Sequence, residues 1–257
     1  MTLSYIVSGF AVGLLVGMTG VGGGSLMTPL LTLLFGVSPS VAVGTDLAFA
    51  SITKSAGTLT HRVRGTIRWD IVKRLCIGAL PAAVLATLAL KAFGTVSPAI
   101  GQIIRYSIAG SVMLTVVALI FKGRMLNWIN AHPERQLQGN KLSAATIISG
   151  AVLGVLVTVS SIGAGAIGAT LLVMLYPRMS SAEVAGTDIA YAVPLTAIAA
   201  LGHWWLGSIH WELLMSLLIG SLPGITLGSW VARSVPEKFL RVLLAMTLTT
   251  VAVKLIY

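Results

Sequence analysis

The amino-acid sequence predicts an all-α polytopic membrane protein made of two inverted structural repeats. Apolar residues make up 56% of the 257 residues and charged residues only 9%, which is far from the composition of a soluble domain. The apolar stretches are continuous and many reach the roughly 20 residues that cross a bilayer as a helix, whereas barrel strands would alternate. A glycine-rich break and a Gly-Thr-Asp triplet each occur once in each half.

The two halves repeat one another in register. The glycines at 22 and 24 recur 141 residues later, and after one inserted residue the other equivalent pairs lie 142 residues apart. These pairs are Asp46 and Asp188, His61 and His203, and Pro81 and Pro223. Interrupted hydrophobic segments at matching positions of two halves indicate the substrate site of a transporter.

Each half divides into five apolar segments. They cover residues 4–18, 25–36, 41–60, 71–93 and 102–121, and then 142–160, 166–176, 182–205, 211–233 and 238–256. The second segment of each half is too short to span a bilayer. We therefore expect the first two segments of each half to form a Gly-broken re-entrant hairpin, followed by about three transmembrane helices.

Loop charge favours inversion of the second repeat. The loop after the third segment carries Arg62, Arg64 and Arg68, whereas the equivalent loop 203–211 has no Lys or Arg. Basic loops stay in the cytoplasm, so the two loops are expected on opposite faces. The alternative is a parallel arrangement of eight spans, which would place the basic turn 233–241 outside.

The domain boundaries follow from the polar stretch in the middle of the chain. We expect a first membrane repeat at 1–121, a basic cytoplasmic linker at 122–141 and a second membrane repeat at 142–257. A short interfacial helix anchored by Trp128 is compatible with the linker. Residues 1–4 contain no basic residue, so we expect no cleaved signal peptide. The predicted location is a bacterial-type inner membrane, crossed several times.

The glycine breaks are candidate anion sites. Unwound backbone presents N–H groups and the positive end of the following half-helix, both of which attract anions. The candidate substrate-binding residues here are Gly22, Gly23, Gly24 and Ser25, with Gly163, Ala164 and Gly165 in the second half. Close helix packing is the alternative role for these glycines. The Lys-Ser/Thr of a phosphate-binding loop is missing, so nucleotide binding is excluded.

The Gly-Thr-Asp triplets place a carboxylate in apolar sequence. Asp46 and Asp188 either take up a coupling proton or cap the helices that start beside them. We assign Thr45 and Thr187 of the same triplets to substrate binding. Lys54 lies two turns after Asp46, where it attracts an anion, neutralises Asp46 or extends to the interface.

Two further pairs recur in register. His61 and His203 either relay protons or make interfacial hydrogen bonds. Neither histidine has ligand neighbours at metal-binding spacing, so no metal site is expected. Pro81 and Pro223 are expected to kink the fourth segments and to act in gating.

The first half contains the stretch Val16-Gly17-Met18-Thr19-Gly20-Val21-Gly22-Gly23-Gly24-Ser25, followed by Pro29 and Val43-Gly44-Thr45-Asp46. This pattern resembles the sulfite exporter TauE/SafE family, also called the toluene-sulfonate uptake permease family. The resemblance covers essentially the whole chain. It implies an inner-membrane transporter of small anions, typically sulfite or organosulfonates. The second half departs from the glycine-rich form at Ser161, Ala164 and Ala166.

The sequence thus predicts a secondary transporter that moves a sulfur oxyanion by alternating access, with proton coupling as an option. Its expected partners are a small anionic substrate, the lipid bilayer and a coupling proton, with no nucleic acid and no cofactor. No sequence signal specifies an oligomeric state. The alternatives are a passive anion channel and a membrane-embedded enzyme or sulfur carrier, for which the single cysteine, Cys76, has no activating neighbour in sequence.

Overall fold

A computed structural model describes residues 2–19, 24–93, 98–132, 136–231, 246, 248–250 and 253–254. All regular secondary structure within these residues is helical. The helices are α1 (Thr2–Thr19), α2 (Gly24–Leu34), α3 (Pro39–Val63), α4 (Trp69–Phe93), α5 (Pro98–Ala131), α6 (Gly139–Ser160), α7 (Ala166–Leu175), α8 (Ser181–Trp205) and α9 (Trp211–Val231). The predicted segment 238–256 lies largely outside the described residues.

Five of these helices are long and apolar enough to cross a membrane: α4, α5, α6, α8 and α9. The prediction of an all-helical polytopic membrane protein is therefore confirmed. The helix α5 continues to Ala131, well into the stretch that the sequence suggested as a linker. Its polar final turns contain no proline, and a single glycine at 123 is tolerated inside a helix.

The first helix of each half packs against the fourth helix of the other half. The most extensive contacts in the described residues join α1 to α9 and α4 to α6. Glycines line both interfaces: a Cβ added at Gly78 would collide with the Ile147 carbonyl, and one added at the equivalent Gly220 would collide with the Ile6 carbonyl. Missing side chains let the helix backbones approach closely, as in many membrane helix pairs.

In each half, the start of the first helix lies close to the end of the second helix. Tyr5, near the start of α1, packs edge-on against Phe35, just after α2, with ring centroids 4.8 Å apart. In the second half the hydroxyls of Thr146 and Tyr176 lie 2.7 Å apart at the equivalent place. The helix α7 thus returns alongside α6. Whether these pairs enter the bilayer as re-entrant hairpins stays a prediction.

Loop contacts define two ends of the helix bundle. At one end the Arg68 backbone N–H donates to the Thr187 hydroxyl near the start of α8, at 3.1 Å. At the other end the His210 N–H donates to the Thr45 hydroxyl near the start of α3, also at 3.1 Å. We call these the Arg68 end and the His210 end. The helices α3 and α8, which are equivalent in the two halves, therefore run in opposite directions.

Candidate functional site

The helix break of the second half is well defined at residues 161–165. Ser161 adopts a left-handed conformation with φ 59°, and Gly163 and Gly165 have φ of 135° and 144°. Only glycine adopts the last two conformations without strain. The chain unwinds after α6, and α7 restarts at Ala166 with its first N–H groups directed back into the break. The sequence-predicted Gly163, Ala164 and Gly165 therefore lie together in unwound, largely buried backbone.

Lys54 crosses from the first half into this break. Its Nζ donates to the Ala164 carbonyl oxygen at 2.7 Å, although the two residues are 110 positions apart in the chain. The side chain is only 8% exposed. Lys54 also lies within electrostatic range of both Asp188 and Asp46. It is therefore a buried side chain that joins the two halves, and its roles in attracting an anion or neutralising Asp46 stay predictions.

Asp188, which belongs to α8, packs against the start of α7. Its carboxylate adjoins the Gly165 backbone N–H without a hydrogen bond of regular geometry, and its Oδ1 atom closely approaches Gly168 one turn into the helix. A carboxylate at a helix N-terminus is favoured by the unpaired N–H groups and by the helix dipole. The helix α8 itself is capped by Ser180, whose hydroxyl accepts from the Glu183 N–H at 3.2 Å, and the roles of capping or proton uptake for Asp188 stay predictions.

Asp46 is fully buried on α3 beside α2. Its Oδ2 atom accepts a hydrogen bond from the Thr28 hydroxyl at 2.6 Å. Ser161 of the other half's break adjoins the same carboxylate, without a hydrogen bond of regular geometry. Asp46 and Lys54, which both belong to α3 of the first half, therefore lie along the break of the second half. Thr28 was not predicted as a site residue, because an isolated threonine in a short apolar helix has no distinctive sequence pattern.

A cavity of about 270 Å³ opens beside the break, between α5, α7 and α8. Its polar lining comes from Lys122, Gly165, Thr170, Ser181 and Asp188. Most other lining residues are apolar, which is typical of small-molecule sites with a few polar groups. The cavity reaches from Ser181 at the Arg68 end to the first turn of α7. Lys122 and Thr170 were not among the sequence candidates, because neither belongs to a repeated motif.

A second cavity, of about 380 Å³, lies at the Arg68 end. Arg68 and Arg178 line it, and Pro177 and Met179 border both cavities. The Arg68 guanidinium lies 3.6 Å from the Asp70 carboxylate and 3.7 Å from that of Glu183. Partly exposed ion pairs of this kind hold side chains in place and contribute little stability. We call this second cavity the outer cavity and the 270 Å³ cavity beside the break the inner cavity. The outer cavity contains two basic side chains, of which Arg68 is paired with two carboxylates.

The two Gly-Thr-Asp triplets also hold the loops of the opposite half. Thr45 and Thr187 use their hydroxyls to accept loop N–H groups, as described above. Gly44 closely approaches the Ser208 carbonyl, and the equivalent Gly186 lies against Thr66. In each triplet the threonine contacts a distant loop and the aspartate faces a helix break. The assignment of both threonines to substrate binding stays a prediction.

The repeated histidines and prolines lie outside the break. His61 Nδ1 is 2.8 Å from the Thr66 hydroxyl, and the buried His203 Nε2 is 2.9 Å from the Thr158 carbonyl. Both imidazoles therefore have hydrogen-bond partners, while proton relay remains a hypothesis. Pro81 and Pro223 lie inside the continuous helices α4 and α9, and gating at these positions is untested.

The first half's glycine run is only partly described. Gly22 and Gly23 lie outside the described residues. Gly24 is the first residue of α2 and Ser25 is the second. The roles proposed for these four residues therefore remain sequence-based predictions.

Comparison with known proteins identifies the class of protein. Residues 5–255 match the family described as Sulfite exporter TauE/SafE. A "Probable membrane transporter protein YjnA" of Bacillus subtilis is 35% identical over 256 residues, covering 100% of both chains. "Probable membrane transporter protein YdhB" of the same organism is 28% identical over 241 residues, covering 93% of each. No solved structure matches the chain. The chain therefore belongs to the sulfite exporter TauE/SafE family and is a multi-pass membrane transporter, not an enzyme.

Proposed function

We propose that the protein is a secondary transporter that moves sulfite, an organosulfonate or a related sulfur oxyanion by alternating access. The observation that carries this proposal is the contact between Lys54 of the first half and the Ala164 carbonyl in the broken helix of the second half. A buried cation next to unwound backbone and a cavity is suited to a small anion. The substrate class comes from the family.

Inverted repeats are the second part of the proposal. Two observations support them: α3 and α8 run in opposite directions, and each first helix packs on the other half's fourth helix. The Arg68 end carries the basic loops, so we orient it toward the cytoplasm. The break of the second half then opens through its cavity to the cytoplasmic side.

The binding step follows from competition at α7. The Asp188 carboxylate adjoins the Gly165 N–H, which an oxyanion would also use. A proton on Asp188 removes its negative charge, so an anion in the cavity then meets the N–H groups at the start of α7 and the lining Lys122 without repulsion. Proton and anion therefore bind together. Release of both toward the opposite side, after the hairpins rock against the other helices, completes the cycle.

Binding and flux measurements test this function. Purified protein would be screened for binding of sulfite, sulfate, thiosulfate, sulfoacetate and carboxylates, and the best ligand would be used for proteoliposome flux. We expect saturable flux that depends on an imposed pH gradient and is lost in Asp188→Asn. The matched control is Asp70→Asn, which removes a half-exposed aspartate outside the cavity next to Asp188.

Two outcomes contradict the proposal. Voltage-driven unitary currents in planar bilayers would show a passive anion channel, which uses the same helix ends without alternating access. Flux that stays at the wild-type level in Asp188→Asn would remove Asp188 from the transport mechanism.

A further inference from the structure

Two buried oxygen atoms next to the proposed substrate site face the same small space. Asp188 Oδ1 and the Tyr191 hydroxyl have no hydrogen-bond partner among the described residues. Both lie over Gly168 of α7: a Cβ added there would collide with Asp188 Oδ1 and lie 2.7 Å from the Tyr191 oxygen. Buried polar atoms without partners are costly, so such a pair calls for a specific occupant.

The equivalent position in the first half is filled by apolar side chains. In the repeat register Gly168 corresponds to Met27 and Tyr191 corresponds to Phe49, and both of these first-half side chains are buried. The first half also supplies Thr28, whose hydroxyl donates to Asp46, where the second half has Ala169. The Asp46 Oδ2 atom is thus bonded within its own half, although its Oδ1 atom also has no partner among the described residues. The space beside Asp188 is instead left by glycine and bordered by a hydroxyl.

The Asp188 side of this space borders the inner cavity described above. Asp188 lines the 270 Å³ cavity, which extends to Ser181 at the Arg68 end. The charged groups facing Asp188 are Lys54 from α3 and Lys122 from α5, and α7 contributes no titratable residue. Cys76 of α4 adjoins the Tyr191 side of the pair. Asp188 is therefore the one carboxylate in the described lining of this cavity that a proton inside it can meet.

We propose that a water molecule bridges Asp188 and Tyr191 over Gly168 and that this unit loads the coupling proton, while Asp46 is a structural carboxylate. This proposal rests on the proposed function and assigns its coupling site. Two polar partners in a confined polar space are the minimum that a buried water requires. The loading step is a simple proton transfer: a hydronium ion in the cavity becomes water, and the Asp188 carboxylate becomes a carboxylic acid. Tyr191 acts as a positioning residue, because it orients the water and does not change its own protonation.

Infrared difference spectroscopy tests the site without any substrate. The protein in lipid nanodiscs would be titrated with acid while the carboxylic-acid C=O band is recorded. We expect Asp188→Asn to abolish the band that titrates and Asp46→Asn to retain it. Tyr191→Phe, which copies the residue of the first half, should shift the band to that of a less hydrogen-bonded acid. The matched control Tyr106→Phe, at a 60% exposed tyrosine, should leave the band unchanged.

A flux experiment separates proton loading from substrate binding. Tyr191→Phe should lose stimulation by a pH gradient while retaining counterflow exchange of sulfite, which needs no net proton movement. Replacing Na⁺ with K⁺ should change neither rate. The proposal is overturned if the titrating band survives in Asp188→Asn, if it disappears in Asp46→Asn, or if Na⁺ and not the proton drives flux. A wild-type protein that moves no sulfite would refute the proposed function, whereas the infrared result would still decide the proton site.

Discussion

Replacing Lys54 with methionine removes a charged hydrogen bond between the two halves. Among the described residues, this bond connects a first-half side chain directly to the break of the second half. The methionine keeps much of the apolar stem but loses the ammonium that donates to the Ala164 carbonyl at 2.7 Å. Because Lys54 is only 8% exposed, water does not replace the lost contact. Asp46 and Asp188 are then left without their shared buried counter-charge.

The magnitude follows from the kind of contact. A buried hydrogen bond to a charged group contributes about 1.5–3 kcal/mol, which corresponds to a roughly 10- to 150-fold change in an equilibrium constant. Leaving a buried carboxylate without its partner costs more, about 3–5 kcal/mol. We therefore expect Lys54→Met to lower the thermal midpoint in detergent and to reduce sulfite flux at least about tenfold.

Two further variants make this prediction specific. Lys73→Met removes the same charge from an exposed position on α4 and should behave like the wild type. The double variant Lys54→Met/Asp188→Asn should recover thermal stability, because one uncompensated carboxylate is removed with the cation. Lys54→Met protein with wild-type stability and sulfite flux would refute the role assigned to this lysine.

Three further predictions concern stability and are measured by thermal unfolding of the purified protein. Thr45→Val and Thr187→Val each leave a loop N–H without its acceptor and should each lower the free energy of unfolding by about 1–3 kcal/mol. The two effects should add, because the residues lie at opposite ends of the bundle. A non-additive pair would argue against independent loops. Gly78→Ala pushes a methyl group into the facing helix and should destabilise by about 1–3 kcal/mol. A Cβ added at Gly110 meets no atom within 4 Å, so Gly110→Ala should be neutral or stabilising. Equal effects of Gly78→Ala and Gly110→Ala would contradict close helix packing at Gly78. Ser180→Ala removes the α8 cap and should cost roughly 0.5–2 kcal/mol, while Ser180→Asp should retain stability.

Helix positions were largely predictable from sequence, because apolar run length and glycine breaks are local signals. Segments 71–93 and 182–205 match α4 and α8 within a few residues. The continuation of α5 to Ala131 was not predicted, since 122–131 was interpreted as a linker compatible with only a short interfacial helix. About half of its residues, among them Arg124, Met125 and Leu126, are good helix formers. Packing of α1 on α9 was also beyond the sequence, because a repeat specifies equivalence and not which neighbour each copy contacts.

The candidate site was predictable only in part. Lys54 and the two aspartates stood out as ionisable residues in apolar sequence. That Lys54 meets Ala164 depends on how the halves fit together, which no local pattern records. Side chains at the break of the second half, such as Tyr191, differ from those at the equivalent positions of the first half. Comparison of Phe49 with Tyr191 in the repeat register was available from sequence and would have indicated this asymmetry.

The exchange of first helices between the halves has a consequence for how the chain is made. During synthesis the helix α1 emerges first, yet its principal neighbour α9 is among the last to leave the ribosome. The first half therefore enters the membrane with a glycine-lined face still open, and its architecture is finished only when the second half arrives.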